Sequence, residues 1–495
     1  MRKMLALSCG VLLSSCGINL YSLPFSTSTA LHNGPALKFL KDGGPEEVGG
    51  PEAALTVKDP YADGRLLVLT ASGGGMRASA FALGVLAELD ELKEVAWRDN
   101  TAFDEIDLIS SVSGGSWAVA AVLVDREMDS TQPLSRRMRD IEARYAELSH
   151  ARVREWAKHF IPSVTKGRTY ADIYKSGAKS PLPFTYFNST LFPSHSPFVF
   201  TPAYLRHYGV IGLGDPASPG RVIVKDSGLA NIPIGYAASA SGAVPGYTSA
   251  FAETNLCPTE GGPSYCFANR KGGVRNNLQL MDGGLYDNIG YKTALEVGLA
   301  NRDRIRGIPA TIIMIDSADA EDFQTVPRKG RDGGHIIDIA RASSFPNQNA
   351  TFDRLRNPAF AAAGFDQRIL LDFSSAADFD VVRDGPELEG LPELAYFAAH
   401  GVSCYGDDSR VVEAGKTAIA PANPGSWRDN LDRLEKKGGD CVAMNFARVG
   451  YLHKTTFKYD PHFFQLRYQL GRLAVRMHRR EIRAAVFRTG RIPVL

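Results

Sequence analysis

The sequence predicts an α/β fold built on a mostly parallel sheet flanked by helices. Three observations predict it: two strand patterns each run through a small-residue turn into a helical pattern, and further buried-type strands return downstream. The first strand, Arg65-Leu66-Leu67-Val68-Leu69-Thr70, is a continuous apolar run of the kind buried on both faces of a parallel sheet, and it ends in Gly73-Gly74-Gly75. From Met76 to Leu92 the periodicity turns helical, with Phe81, Val85, Leu86 and Leu89 on one side and Gly84 permitting close packing. A second strand, Ile106 to Ile109, leads through Ser110-Ser111-Val112-Ser113-Gly114-Gly115-Ser116 into a helix from about Trp117 to Val124. Residues 126–195 then break the alternation with a charged helical stretch and a Pro/Ser-rich one, and read as an insertion over the core. Strand patterns resume at Arg221–Val224, at Leu278–Met281, which delivers Asp282-Gly283-Gly284, and at Ala310–Ile315. There is no internal repeat and no low-complexity tract.

An apolar content of 44% with 22% charged residues is that of a globular chain able to bury a large core. A net charge of +2 does not point to nucleic acid or to a strongly acidic partner for the whole chain. The N-terminus departs from this average. Arg2 and Lys3 precede an apolar stretch, Met4–Leu13, followed by Ser14, Ser15 and Cys16, which reads as an export signal too short to span a bilayer. Leu13-Ser14-Ser15-Cys16 also resembles the bacterial lipobox, in which the cysteine becomes the lipid-bearing first residue of a membrane-anchored lipoprotein. The other reading is a plain secretory signal. Residues 17 to about 62, rich in Ser, Pro and Gly, fit a tether, and the mature chain is expected at a membrane facing the periplasm or the cell exterior.

Export permits disulfides. With Cys9 and Cys16 set aside, Cys257 and Cys266 bracket one Pro/Gly-rich loop, and Cys404 and Cys441 bracket another such stretch. Local pairing is the simplest of the three connectivities open to four cysteines. No CxxC or Cys/His spacing points to zinc, so these cysteines read as structural; neither a metal nor a cofactor is expected.

A serine hydroxyl needs a base to take its proton, and the developing oxyanion needs fixed donors about 3 Å away. Ser113 sits between a predicted strand and a predicted helix, where a strained turn lifts a nucleophile out of a sheet. Two residues away on each side stand Ser111 and Gly115; a glycine is usual at both, so Ser111 is a departure. Gly73-Gly74-Gly75 offers convergent N–H groups, as an oxyanion hole needs. The rival reading is dinucleotide binding, because Gly73, Gly75 and Ala78 meet a loose GxGxxA spacing, yet no acidic residue ends the second strand to hold a ribose. Arg77, early in the helix, either holds this loop or meets a substrate phosphate. Asp282 is presented at a strand end by two glycines, and all three features fall at the C-terminal ends of predicted strands.

Together SGGGMRASAFALGVLAEL, SSVSGGSW, YAASASGAVPGY and LMDGGLYDN, in this order, resemble the motifs of patatin-like and cytosolic-type phospholipases. The resemblance covers roughly residues 63 to 320. It implies a three-layer α/β/α fold with helical insertions, and a Ser113-Asp282 dyad in place of a triad. It also implies an oxyanion hole in the Gly73–Gly75 loop, in which Gly74 and Gly75 are the donors and Gly73 shapes the turn. Arg77 is then the motif arginine, and the Ala/Ser-rich segment packs beside the site. Ser72, Ser111 and Trp117 differ from many patatins in the direction of the cytosolic branch. A Ser-His-Asp triad stays open on His195, His207, His335 or His400, none of them in a strand-end motif; Asp303, Asp316 and Asp319 read as turns and caps.

The C-terminal stretch from Phe463 to Arg491 places Leu466, Leu470, Leu473 and Met477 at helical spacing, while Arg467, Arg472, Arg476, Arg479, Arg480 and Arg483 supply much positive charge. It reads as a helix docked on the core, or as a surface for anionic lipid. The expected organisation is a signal (1–15), a lipid-anchored tether (16–62), a patatin-like catalytic domain (63–460) with its insertion at about 126–195, and a basic amphipathic helix (461–495). The expected function is hydrolysis of phospholipid or other lipid esters. The alternatives are a non-catalytic lipid- or partner-binding module on the same fold, or a thioesterase or peptidase.

Overall fold

The computed structural model describes Leu55 and residues 64–317 with breaks, the main ones at 94–99, 176–181, 193–195, 245–250, 256–266 and 269–273, then 358–372, 389–391 and 459–486. The expected signal, tether and lipidation site at Cys16 lie outside the described residues, as do Cys257, Cys266, Cys404 and Cys441.

In chain order the strands are β1 (Leu66–Ala71), β2 (Leu108–Val112), β3 (Phe184–Phe192), β4 (Ser196–Val199), β5 (Gly212–Asp215), β6 (Ser218–Lys225), β7 (Phe251–Asn255), β8 (Phe267–Ala268), β9 (Val274–Arg275), β10 (Asn277–Asp282), β11 (Ala310–Asp316) and β12 (Gln367–Asp372). Eight of them form the main sheet, in the order β12-β11-β1-β2-β3-β10-β7 with β4 beside β3. From β12 to β3 every pair is parallel, whereas β10 and β7 add an antiparallel edge. The continuous apolar runs of β1 and β11 are buried along their whole length, as strands covered on both faces must be.

The helices that bear on the site are α1 (Gly75–Glu91), α2 (Ser113–Met128), α3 (Leu134–Ala146), α4 (Trp156–Ser163), α5 (Ile234–Ser241), α6 (Tyr291–Ala300), α7 (Pro461–Met477) and α8 (Arg479–Val486). They flank the sheet in the predicted three-layer arrangement: α1 and α2 pack on each other, α5 lies on α2, and α6 lies against β1 and β2. α1 is buried almost all round because α7 covers the side turned away from the sheet. A Cβ on Gly84 would lie 1.9 Å from the Tyr468 carbonyl oxygen, and one on Gly471 2.1 Å from that of Phe81. The two helices therefore cross backbone to backbone.

The insertion does not extend to residue 195, because β3 is a central strand of the sheet; its aromatic and Thr-rich run, FTYFNSTLF, is flanked by prolines and serines that mask it. Arg221–Val224 belongs to a two-stranded hairpin, β5-β6, outside the main sheet. α2 starts at Ser113 itself, four residues before the predicted start. The C-terminal helix is two segments separated by a turn at His478. Leu466, Leu470 and Leu473 are buried, Arg467 is buried with them, and Arg472 and Arg476 pair with Glu88 of α1. The docked reading is the one seen.

What remains of the insertion packs on the helix that begins at Ser113. Trp117 of α2 lies against Trp156 of α4 with ring centroids 3.9 Å apart. Asp125, near the end of α2, holds Arg137 and Arg144 of α3 at 2.5 and 2.9 Å.

Candidate active site

Ser113 is the first residue of α2 and has φ 49°, a left-handed conformation that a non-glycine residue adopts only under constraint. The constraint is the crowding of two chain turns. A Cβ on Gly115 would lie 2.6 Å from the Ala71 carbonyl oxygen, and one on Gly114 2.0 Å from that of Gly75. The Gly115 N–H donates to the Ser72 carbonyl at 3.1 Å. The N-terminus of α2 is thus pressed against the end of β1 and the start of α1, which only glycines at 114 and 115 allow. Ser113 is 4% exposed, and its Oγ donates to Asp282 Oδ2 at 2.7 Å.

Asp282 reaches this position from the opposite direction to that expected. β10 runs antiparallel to β3, with Asp282 opposite Ser189, while β2 runs parallel to β3 with Val112 opposite Asn188. β3 outruns β2, so β10 enters from above and ends at the level where β2 stops. Asp282 Oδ1 accepts the Gly284 N–H at 2.7 Å. Asp282 is 6% exposed, and burial pushes its pKa up to about 6 against the pull of its bonds from Gly284 and Ser113. A carboxyl held near the operating pH suits proton transfer.

The glycine loop divides its labour. The Gly73 N–H donates to the Asn288 carbonyl at 2.7 Å, and a Cβ there would lie 2.3 Å from Asn288 Oδ1 and 3.1 Å from Ser113 Cβ. The one donor of Gly73 is therefore already used, and within the Gly73–Gly75 loop this residue lets the chain pass close to Ser113 while Gly74 and Gly75 keep their N–H groups. Gly74 and Gly75 have φ 143° and 60°. Among the described residues, no acceptor takes the N–H of Gly74, Gly75 or Gly114. Gly75 opens α1 and Gly114 lies in the first turn of α2, so the positive ends of two helix dipoles converge beside the serine.

Arg77 is 1% exposed, and its Nη2 lies 3.4 Å from where a Gly74 Cβ would be. Its guanidinium therefore lies against the glycine loop. Ser111 accounts for its own departure from glycine, since its Oγ accepts from Ser116 Oγ at 3.0 Å. Of the candidate histidines, His207 stacks edge-on against Tyr208 and bonds to neither Ser113 nor Asp282; His195, His335 and His400 lie outside the described residues. Asp316 ends β11, Asp303 is exposed beside Arg306, and Asp319 is not among the described residues. No group of three or more His, Cys, Asp or Glu side chains that could hold a metal occurs among the described residues.

Residues the sequence reading did not single out complete the site. Ser241, at the end of α5, accepts the Ser113 N–H at 2.9 Å. Asn188 of β3 bonds through its side chain to Ser110, Ser111 and Thr293. Asn288 fixes Gly73. Ser241 and Asn288 stand inside the YAASASGAVPGY and LMDGGLYDN motifs, which could have flagged them; nothing in the sequence marks Asn188.

Fold and site together define an α/β chain with a buried serine–carboxylate pair beside two converging helix N-termini. Residues 69–295 match the family model for patatin-like phospholipases, and this segment is a patatin-like phospholipase domain. It contains the glycine loop, Ser113, Ser241 and Asp282, while α7 lies beyond it. No curated protein matches the chain. Among solved structures, human GIVD cytosolic phospholipase A2 is similar at 13% identity and a TM-score of 0.40, covering 88% of this chain and 60% of that one. The same enzyme in complex with methyl gamma-linolenyl fluorophosphonate and terbium chloride gives a TM-score of 0.38, and in complex with methyl gamma-linolenyl fluorophosphonate 0.34, both at 13% identity and the same coverage.

Proposed function

We propose that this protein is a lipid acyl-ester hydrolase in which Ser113 is the nucleophile and Asp282 the general base. The observation that carries this reading is the 2.7 Å bond from Ser113 Oγ to Asp282 Oδ2 in a buried turn. As Ser113 Oγ attacks the ester carbonyl, its proton passes to Asp282 Oδ2. The N–H groups of Gly74, Gly75 and Gly114 receive the oxyanion; one such donor is worth on the order of a hundred- to a thousand-fold in rate. The tetrahedral intermediate collapses by expelling the alcohol, which takes the proton from Asp282 and leaves an acyl group on Ser113. Asp282 then draws a proton from water, which attacks the acyl-enzyme, and Ser113 is regenerated. In this scheme Ser113 and Asp282 exchange the proton directly.

A phospholipid or another lipid ester is the substrate class that fits the patatin-like domain. Lipidation of Cys16 would hold the enzyme at a membrane beside that substrate, since two or more acyl chains anchor stably. A panel of diacyl phospholipid, lysophospholipid and short-chain ester tests the reading with wild-type and Ser113→Ala protein side by side. Wild-type protein should release fatty acid from at least one of them and Ser113→Ala from none; equal release by the two overturns the assignment. Labelled fatty acid should enter wild-type protein and not Cys16→Ala in cells.

A further inference from the structure

Ser113 and Asp282 are not tied together only by their own hydrogen bond. The short segment 241–243 holds both backbones: Ser241 Oγ accepts the Ser113 N–H at 2.9 Å, and the Ala243 carbonyl accepts the Asp282 N–H at 2.9 Å. The Ser241 hydroxyl is itself oriented, because it donates to the Asn188 carbonyl at 2.5 Å and so turns its lone pairs toward Ser113. Asn188 is the β3 residue opposite Val112, the last residue before the serine. The segment is seated by the next residue, Gly242, where a Cβ would lie 2.6 Å from Nε1 of Trp117 on α2.

We infer that Ser241 is a positioning residue for the proposed reaction, and the inference rests on that proposal. An N–H at the start of a helix has no partner within the helix. At Ser113 it belongs to a residue at φ 49°, where relaxation of the 112–113 peptide would swing Oγ off Asp282. The Ser241 lone pair supplies the acceptor that holds this peptide in place. The same bond removes the Ser113 amide from the oxyanion donors, leaving Gly74, Gly75 and Gly114. Ser241 touches neither the reacting oxygen nor the base, so its effect is on alignment.

Ser241→Ala, Ser241→Thr and Ser239→Ala test this on the full chain, with ester hydrolysis resolved into kcat and KM and with thermal midpoints measured in parallel. Ser239 lies two residues away on the same helix, and its hydroxyl is buried without a partner among the described residues. Ser241→Ala should remain folded and lose kcat by on the order of tens-fold, as misplacement of a reacting group by a fraction of an ångström does, with KM within about twofold. Ser241→Thr, which keeps the hydroxyl, should recover most of that loss, and Ser239→Ala should match wild type. Three results overturn the inference: an unchanged kcat in folded Ser241→Ala, an equal loss in folded Ser241→Thr, or a Ser241→Ala that fails to fold while Ser241→Thr is normal. The last would make the hydroxyl a part of fold assembly. A Ser113→Ala protein run alongside separates the failures. If it retains wild-type hydrolysis the nucleophile assignment falls, whereas if it is inactive and Ser241→Ala is unaffected only the positioning role falls.

Discussion

Ser113 and Asp282 stand 169 positions apart in the chain, yet the oxygen of one donates to the oxygen of the other at 2.7 Å. The distance is set by β3. Adjacent residues of that strand, Asn188 and Ser189, are the partners of Val112 on β2 and of Asp282 on β10. A one-residue slip of β10 would turn the carboxylate to the other face of the sheet. Hydroxyl and carboxylate therefore meet only when both ladders are in register.

Asp282 acts as a base only when ionised, and burial pushes its pKa up to about 6. kcat/KM should therefore rise with pH and pass half-maximum near pH 6. A profile flat down to pH 4.5 would show an unperturbed carboxylate, or another base.

The same shift bears on stability. A carboxyl whose pKa is raised on folding contributes stability that is full below its unfolded value of 3.8 and lost as pH rises through about 6. At pH 8 the buried carboxylate thus costs about 3 kcal/mol relative to its neutral form. Asp282→Asn should abolish turnover while raising the urea midpoint at pH 8, and the advantage should shrink toward pH 4.5. A pH-independent difference between the two proteins would contradict this.

The left-handed turn at Ser113 should be felt in stability as well as in activity. Ser113→Ala and Ser113→Gly both remove the hydroxyl, but only glycine adopts φ near +49° without steric cost. Ser113→Gly should be the more stable of the two by about 1 kcal/mol, as read from thermal or urea midpoints. Equal stabilities would mean that the turn carries no strain.

Beyond the matched segment, α7 should be indispensable. Gly84→Ala places a methyl 1.9 Å from the Tyr468 carbonyl, so the helices must separate at a cost of about 2 to 3 kcal/mol. Removal of residues after 458 should expose the apolar face of α1 and lower solubility and the thermal midpoint together. A truncated protein with an unchanged midpoint would contradict the packing.

The elements legible in the sequence are those whose residues carry their own signal. The apolar runs of β1 and β11 announce parallel strands, and the glycines at 73–75, 114–115 and 283–284 announce close backbone approaches. Asp282 and Ser113 were readable as strand-end residues for the same reason. β3 was not, because its alternating aromatic and polar residues lie among prolines and serines that read as loop. The β6 pattern looked like a sheet strand because periodicity reports burial and not partners. Ser241 and Asn188 depend on contacts across long sequence separations, which no local pattern encodes. The commitment of the Gly73 amide to Asn288 was equally invisible, since a glycine triplet looks the same whichever of its N–H groups is free.

Covalent labelling tests most directly whether Ser113 is the activated nucleophile. An alkyl fluorophosphonate should add one phosphonyl group per chain, localised by peptide mass spectrometry to Ser113. Labelling should slow as pH falls through about 6 with protonation of Asp282 and be absent in folded Ser113→Ala and Asp282→Asn. Stoichiometric labelling of another residue, or undiminished labelling of Ser113→Ala, would contradict it.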